Sequence, residues 1–227
     1  MEIKVLRSPK QVEKKQWDNL KLEETKNEDW HYIVSGYCRT GTSMMMMCLE
    51  AGGMEAVYHK EQIGSPIVNK YGNFECGGYM QMGDEFPSNP QLKGKVVKCM
   101  YHNLKHMDRA KFRIVFMLRD PKEIRISHNK ALRRGTFFGK SDETYWREMR
   151  EAVERYENME NIEITVMDYH IVLKEPQICF THLKSQGWPI GDVEAAASKV
   201  EVDLWRIRES HSESEDDKQW LYARVMK

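Results

Sequence analysis

Short apolar runs alternate with helix-like segments along most of the chain, and this alternation restricts the possible folds more than any other feature. Four apolar runs have the length of a buried strand: 31–37, 95–101, 113–120 and 162–170. The segments between them have helical patterns, and Pro121 stands where proline favours the first turn of a helix. Strands that alternate with helices pair in parallel. We therefore expect a single-domain α/β fold over residues 31–227, with a central parallel sheet flanked by helices. A charged helical segment at residues 1–30 would pack on this core.

The composition restricts the possible partners of the protein and its cellular location. Lys plus Arg and Asp plus Glu both number 35, so the formal net charge is zero, which argues against a dedicated binder of nucleic acid or anionic membranes. The five cysteines are scattered and show no metal-binding spacing, which is typical of reduced thiols. No apolar run approaches the roughly 20 residues that span a bilayer, and the N-terminus lacks an apolar signal segment. We expect a cytoplasmic protein without a nucleic-acid or membrane partner.

A glycine-bounded loop, "GYCRTGTS" at residues 36–43, follows the first predicted strand and enters the first predicted helix. Backbone N–H groups and the helix dipole favour an anion at such a junction. Thr42 and Ser43 add hydroxyl donors and Arg39 adds a permanent charge. A P-loop NTPase would place Lys-Ser or Lys-Thr directly after the second glycine, where this chain has Thr42 and Ser43. The loop is predicted to bind a phosphate without the NTPase lysine.

A second stretch, "FMLRDPKEIRISHNK", joins the third predicted strand, residues 113–120, to the helix that starts at Pro121. Arg119 ends the strand, and Ser127 lies about two turns into the helix. The two side chains would converge on one anion if the strand end curls toward the helix face. Alone, the stretch is better explained by an arginine that pairs with Asp120 or a helix dipole, beside an incidental serine.

Together the two stretches resemble the sulfotransferases that use 3′-phosphoadenosine-5′-phosphosulfate (PAPS). The shared patterns are R-[ST]-G-T-[ST] after one strand and R-[DN]-P-x-x-x-x-x-S after another, within a resemblance that runs over residues 31–187. The resemblance implies a P-loop-like loop that binds the 5′-phosphosulfate through Arg39, Thr40, Gly41, Thr42 and Ser43. It implies a 3′-phosphate site at Arg119 and Ser127.

The activity that this resemblance implies is transfer of a sulfuryl group by in-line displacement to a hydroxyl or amine. The acceptor would be a carbohydrate, small molecule or peptide, and 3′,5′-adenosine bisphosphate would be released. Positioning and electrostatic stabilisation suffice for such a step without a required metal. We expect Arg39 to stabilise the leaving phosphate.

Three residues compete for the role of the base that takes the acceptor's proton. Glu61 is the first choice, because it stands in the relative position of the catalytic glutamate of many carbohydrate and tyrosine sulfotransferases. Small cytosolic members have a K-T-H signature; here Lys98 matches its lysine, Met100 replaces its histidine, and His102 follows two residues later. Glu75 lies in a stretch similar to the G-x-x-E of small bacterial members. Lys98 would touch the transferring sulfonate.

Two other classes of function stay open. One is a P-loop kinase or NTPase with a displaced cation, although the lysine is missing and Asp120 lies between Arg119 and a proline rather than free for Mg²⁺. The other is a nucleotide-binding module without a base. Acceptor specificity would come from the irregular segments 64–94 and 208–219, in which no motif identifies the acceptor.

Overall fold

Five parallel strands and one short antiparallel strand form a single sheet in the part of the chain that the computed structural model describes. That part comprises residues 5–6, 29–58, 74, 88–104, 107–132 and 141–200. In chain order the strands are β1 (Val5–Leu6), β2 (Trp30–Gly36), β3 (Ala56–Val57), β4 (Val96–Lys98), β5 (Lys111–Leu118) and β6 (Ile162–Asp168). Their order across the sheet is β1-β6-β5-β2-β4-β3. β1 runs antiparallel to β6, and the other neighbouring pairs are parallel.

Six α-helices within the described ranges flank this sheet. They are α1 (Thr42–Ala51), α2 (Pro121–Leu132), α3 (Asp142–Glu157), α4 (Tyr169–Lys174), α5 (Pro176–Ser185) and α6 (Val193–Ser198). α1 packs on β4 and α6, whereas α3 packs on β6 and α2. Two short 3-10 turns, Pro90–Leu92 and Tyr101–Asn103, precede and follow β4. None of the helices in these ranges is long and apolar enough to cross a membrane.

The core lies on the two long central strands. Residues 32–34 of β2 and residues 114–118 of β5 are fully buried, as in strands covered on both faces. Met45 and Met46 of α1 are also fully buried, and Met44 and Met47 pack against the same core from the helix flank. The run of four methionines therefore fills the space between α1 and the sheet, since unbranched side chains suit both a helix and an irregular core.

The predicted single α/β domain with a parallel sheet flanked by helices is confirmed. The predicted strand at 162–170 is too long, because the Asp168 side chain accepts hydrogen bonds from the backbone N–H groups of His170 and Ile171 and so starts α4. The antiparallel edge strand β1 was not anticipated. Most of the predicted helical segment 1–30 lies outside the described residues, as do segment 208–219 and most of segment 64–94.

The strand order places a switch in direction between β2 and β5. From β2 the chain passes through α1 to β3 and β4 on one side, and from β5 it passes through α2 and α3 to β6 on the other. Gly36 at the end of β2 is level with Met117 near the end of β5. In open α/β sheets, ligands bind outside the carboxyl ends of the strands at such a point. Both predicted anion-binding stretches begin there.

Candidate anion-binding site

The loop between β2 and α1 is shaped by three residues with positive φ: Gly36 (141°), Arg39 (69°) and Gly41 (96°). A Cβ on Gly36 would lie 2.5 Å from the carbonyl oxygen of Met117. The Thr40 hydroxyl donates a 2.8 Å hydrogen bond to the carbonyl of Tyr37 and closes the turn from inside. Arg39 has a left-handed conformation that is unfavourable for a side chain with a Cβ, so the surrounding contacts must hold it there.

The first turn of α1 faces this loop. Gly41 is the N-cap residue, its carbonyl accepts the hydrogen bond of the Met45 N–H at 3.0 Å, and no side chain caps the helix. The opening N–H groups of a helix have no partner inside the helix and carry the positive end of its dipole. Of the hydroxyl residues in the predicted loop, Thr42 is buried and Ser43 is partly exposed. The backbone therefore provides the anion-binding geometry expected at this junction.

Lys98 brings a cation from the neighbouring strand to the start of α1. It ends β4 and is level with Val34 of β2, and only 6% of the residue is exposed. Its ammonium donates a 3.3 Å hydrogen bond to the Ser43 hydroxyl. Lys98 thus lies beside the predicted phosphate loop rather than on the open surface.

The two predicted stretches are in direct contact. Arg39 donates from Nε to the Ser127 hydroxyl at 3.1 Å, across 88 positions of the sequence. Arg119 donates from Nη1 to the backbone carbonyl of Arg39 at 3.2 Å. The parallel register of β2 and β5 explains the proximity, because both loops leave the same edge of the sheet. Ser127 and Arg119 are thus linked through Arg39.

Arg119 is enclosed by protein groups. Its Nε donates to Glu123 at 2.7 Å, its guanidinium lies 4.1 Å from the ring centroid of Tyr169, and its own carbonyl accepts a hydrogen bond from Tyr145. The alternative pairing with Asp120 is wrong: that carboxylate accepts the backbone N–H of Lys122 and holds the first turn of α2. The sequence contained a usable signal for Glu123, since a residue four positions after the arginine faces it from the helix.

Glu123 also faces His170, whose Nε2 lies 3.1 Å from its second carboxylate oxygen. Burial opposes ionisation of Glu123, but the hydrogen bonds from His170 and Arg119 outweigh it and hold the pKa of the carboxyl below its usual value. Burial likewise opposes the charged form of His170, yet Glu123 and Asp168 raise the pKa of its imidazole. Sequence reasoning missed His170, which fell inside the predicted strand and belonged to no motif.

An aromatic cluster borders the loop on the side of β4 and α3. Tyr37 stacks on Tyr101 with ring centroids 5.7 Å apart and meets Tyr145 edge-on at 5.3 Å. Burial raises the pKa of Tyr37 to about 12. The Tyr101 hydroxyl donates to Glu148 at 2.7 Å. His102, a candidate base, is exposed in the 3-10 turn after β4 and meets the Tyr101 ring edge-on.

The two carboxylate candidates for the base, Glu61 and Glu75, lie outside the described residues. The geometry thus brings together Arg39, Ser43, Lys98, Arg119 and Ser127 and locates His102 nearby along the chain. Within the described ranges, no group of three or more His, Cys, Asp or Glu side chains is arranged to hold a metal ion.

No protein-family model and no curated protein matches this chain. The fold and the contacts by themselves define an α/β protein with a loop at a strand–helix junction at the switch point of the sheet. Lys98 contacts Ser43 at the start of the helix, and Arg119 contacts the Arg39 carbonyl in the loop.

Proposed function

We propose that this protein is a PAPS-dependent sulfotransferase that transfers a sulfuryl group to a hydroxyl or amine of a carbohydrate, small-molecule or peptide acceptor. The observation that supports the proposal most is the contact of Arg39 with Ser127 and Arg119. These two residues belong to the second predicted stretch, and a site for one phosphate in the loop would not require them. A nucleotide with phosphates on both its 5′ and 3′ sides gives both stretches a ligand. ATP has no phosphate on its 3′ side.

The 5′-phosphosulfate is assigned to the loop and the start of α1. Backbone N–H groups of residues 40–43 would bind its equatorial oxygens, as helix N-termini bind other anions. Lys98 lies 3.3 Å from the Ser43 hydroxyl, so its ammonium is close enough to share an oxygen with it. Arg39 supplies charge from the opposite side of the loop. These groups would stabilise the charge that develops on the leaving phosphate.

The 3′-phosphate is assigned to Ser127 and Arg119. Ser127 uses its oxygen to accept the bond from Arg39 Nε, so its own O–H hydrogen can be donated to a phosphate oxygen. The positive charge of Arg119 is partly neutralised by the buried Glu123 carboxylate. Ser127 and the backbone are therefore the more direct contacts of the 3′-phosphate. The charge of Arg119 still favours an anion at this edge.

PAPS supplies the sulfuryl group of the reaction. The acceptor oxygen or nitrogen forms a bond to sulfur while the bond from sulfur to the 5′-phosphate oxygen breaks, and that oxygen keeps the electron pair. The acceptor's proton passes to a base, for which Glu61 remains our first choice and His102 and Glu75 the alternatives. The loop, Lys98 and Arg39 hold the phosphate in line for this displacement.

Nucleotide binding measured by calorimetry and thermal unfolding tests the proposal. We expect 3′,5′-adenosine bisphosphate to bind without magnesium and to stabilise the protein by about 2.7 kcal/mol at a concentration of roughly 100 times Kd. It should bind more tightly than 5′-adenosine monophosphate, which lacks the 3′-phosphate. Stabilisation by ATP with Mg²⁺ alone would refute the proposal and favour a kinase or NTPase.

The serine at the second site provides a specific variant for this assay. Ser127→Ala should reduce the preference for the bisphosphate over the monophosphate by about tenfold, since a hydrogen bond to a charged group is lost. Ser185→Ala is the matched control, because it removes an exposed hydroxyl at the end of α5 whose hydrogen bonds are local, to the His182 carbonyl and from the Gln186 side chain. An unchanged preference in Ser127→Ala would remove Ser127 from the phosphate site. Release of the bisphosphate from PAPS only when acceptor is added distinguishes an enzyme from a binding module.

We further propose a cytoplasmic location. The support is that Cys38, Cys48, Cys99 and Cys179 are free thiols, three of them buried. Blocking exposed thiols in freshly lysed cells and counting the free ones by mass spectrometry tests this, and a disulfide in the native protein would contradict it.

A further inference from the structure

Behind the anion-binding loop lies a polar cluster that consists of the buried Arg119 and Glu123 and the partly exposed His170. Glu123 has no exposed surface, and its two carboxylate oxygens face different partners. One oxygen accepts from Arg119 at 2.7 Å and the other lies 3.1 Å from His170 Nε2. The cluster joins three elements, since Arg119 follows β5, Glu123 is in the first turn of α2, and His170 is in α4.

The cluster is connected to the backbone of the loop. Arg119 uses Nε for Glu123 and Nη1 for the carbonyl of Arg39. Arg39 has φ of 69°, a conformation that persists only where neighbouring groups hold it. The Arg119 guanidinium is one such group, because it donates to the Arg39 carbonyl. Glu123 determines the position of this guanidinium by accepting the hydrogen bond from its Nε. The stacking of Tyr169 on Arg119 restricts the same guanidinium from its flat face.

We propose that Glu123 and His170 are positioning residues, which act through Arg119 to hold Arg39 and its loop in the conformation that binds an anion. His170 orients Glu123, Glu123 orients Arg119, and Arg119 fixes the Arg39 carbonyl. The inference rests on the proposed function only for the identity of the anion as a nucleotide. The positioning itself applies to any phosphate or sulfate in the loop.

Positioning and simple electrostatics predict opposite results when the charge on Glu123 is removed. A buried carboxylate near an anion site repels the anion, so electrostatics alone predicts that Glu123→Gln binds anions more tightly. Positioning predicts weaker binding. A glutamine has one accepting oxygen, and its NH₂ group cannot accept a hydrogen bond from Arg119 or from a protonated His170. The sign of the change in affinity therefore separates the two explanations.

The histidine provides a second, independent readout. The charged groups that face His170 are Glu123 from α2, Arg119 from the end of β5 and Asp168 from the end of β6. The carboxylates raise the pKa of His170 in spite of its burial. As the pH rises through that pKa, the cluster loses one positive charge and Glu123 loses a charged donor. Anion affinity is expected to fall over the same pH interval.

The experiment is calorimetric titration of the full chain with 3′,5′-adenosine bisphosphate and, separately, with inorganic sulfate. The pH is raised stepwise from about 7, where a phosphomonoester with a second pKa of about 6 is already dianionic, so a change in affinity comes from the protein. The variants are Glu123→Gln and His170→Gln. His31→Gln is the matched control: His31 is a buried histidine near the opposite end of β2, five residues or about 17 Å along the strand from Gly36, where the loop begins. Circular dichroism at the titration temperature confirms that each variant is folded.

We expect Glu123→Gln to bind both anions about tenfold more weakly, the range for a lost charge-assisted hydrogen bond. His170→Gln should remove the pH dependence that wild type shows, and His31→Gln should keep wild-type affinity and pH dependence. Equal or tighter binding by Glu123→Gln, or an unchanged pH profile in His170→Gln, overturns the inference. If wild type binds sulfate but not the bisphosphate, the proposed function fails and the sulfate series decides the inference. If wild type binds neither anion, both fail.

Discussion

Gly41 offers the sharpest quantitative test of the loop geometry, because the chain contains a second glycine with nearly the same positive φ. Gly41 has φ of 96° and Gly53, after the end of α1, has φ of 95°. A Cβ on Gly41 would lie 2.6 Å from Cδ2 and 3.0 Å from Cε2 of Tyr169. A Cβ on Gly53 would have nothing within 4 Å. The two substitutions to alanine therefore share the backbone strain and differ in the steric contact.

The expected magnitudes follow from these two terms. Alanine in a left-handed conformation costs about 1–2 kcal/mol of stability, which is the whole effect expected for Gly53→Ala. At Gly41 the ring of Tyr169 must also move, and overpacking of this kind costs about 1–3 kcal/mol more. Gly41→Ala should thus lower the free energy of unfolding by about 2–5 kcal/mol. The difference between the variants measures the contact with Tyr169.

Urea denaturation followed by circular dichroism measures both free energies, and titration with 3′,5′-adenosine bisphosphate measures the effect on binding. The Tyr169 ring stacks on the Arg119 guanidinium, so its displacement should weaken binding in Gly41→Ala and not in Gly53→Ala. The double variant Gly41→Ala/Tyr169→Ala should be less destabilised than the sum of the single variants, since the clash is then absent. Equal destabilisation by Gly41→Ala and Gly53→Ala would refute the reasoning.

Three further predictions concern the polar contacts around the loop. Lys98→Met should weaken binding of the bisphosphate by at least about tenfold in calorimetry, because one cation is lost. The free energy of unfolding in urea should stay level or rise, because a buried charge is replaced by an apolar side chain of similar length. Unchanged affinity would place Lys98 outside the site. Tyr101→Phe removes the hydrogen bond to Glu148 and should lower the free energy of unfolding by about 1 kcal/mol in urea denaturation, and no loss would show that this bond makes no net contribution. The pair of Glu123 and His170 should make the free energy of unfolding depend on pH in both directions. The lowered pKa of Glu123 contributes stability above the ordinary pKa of a glutamate, and this is lost as the pH falls through the lowered value. The raised pKa of His170 contributes stability below pH 6.5, and this is lost as the pH rises through the raised value. The difference in unfolding free energy between wild type and His170→Gln should therefore shrink as the pH increases, and a constant difference would contradict this assignment.

The strands of this fold were predictable because burial on both faces leaves a compact apolar run in the sequence. β5 is the clearest case, with residues 114–118 fully buried between helices and neighbouring strands. The two-residue strands β1 and β3 are too short for a periodic pattern. The end of β6 depended on a side chain: Asp168 starts α4 by accepting two backbone N–H groups, and its position after an apolar run resembled the continuation of a strand.

The sequence predicted each of the two stretches of the candidate site, but it did not predict the contacts between them. Spacing indicated that Arg39 belongs to a loop and Ser127 to a helix, but their hydrogen bond depends on the parallel register of β2 and β5. Glu123, the partner of Arg119, was not predicted, although it lies only four positions after the arginine. His170 could not be found in this way, because its contact with Glu123 joins helices that are distant in sequence and no motif contains His170.

Lys98 places a cation beside the loop, although the loop itself lacks the lysine of a P-loop NTPase. In a P-loop NTPase the lysine belongs to the helix that follows the loop, so one short segment supplies both the backbone cradle and the cation. Here the ammonium reaches Ser43 at the start of α1 from the end of β4, and Arg39 stands on the other side of the loop. Because the two cations come from different elements, substitutions can separate their effects. Lys98→Met should impair anion binding at the start of α1 while leaving the contact between Arg39 and Ser127 intact. If Lys98→Met and Arg39→Met each weaken binding of the bisphosphate and their effects add, the two cations act at separate positions on the ligand.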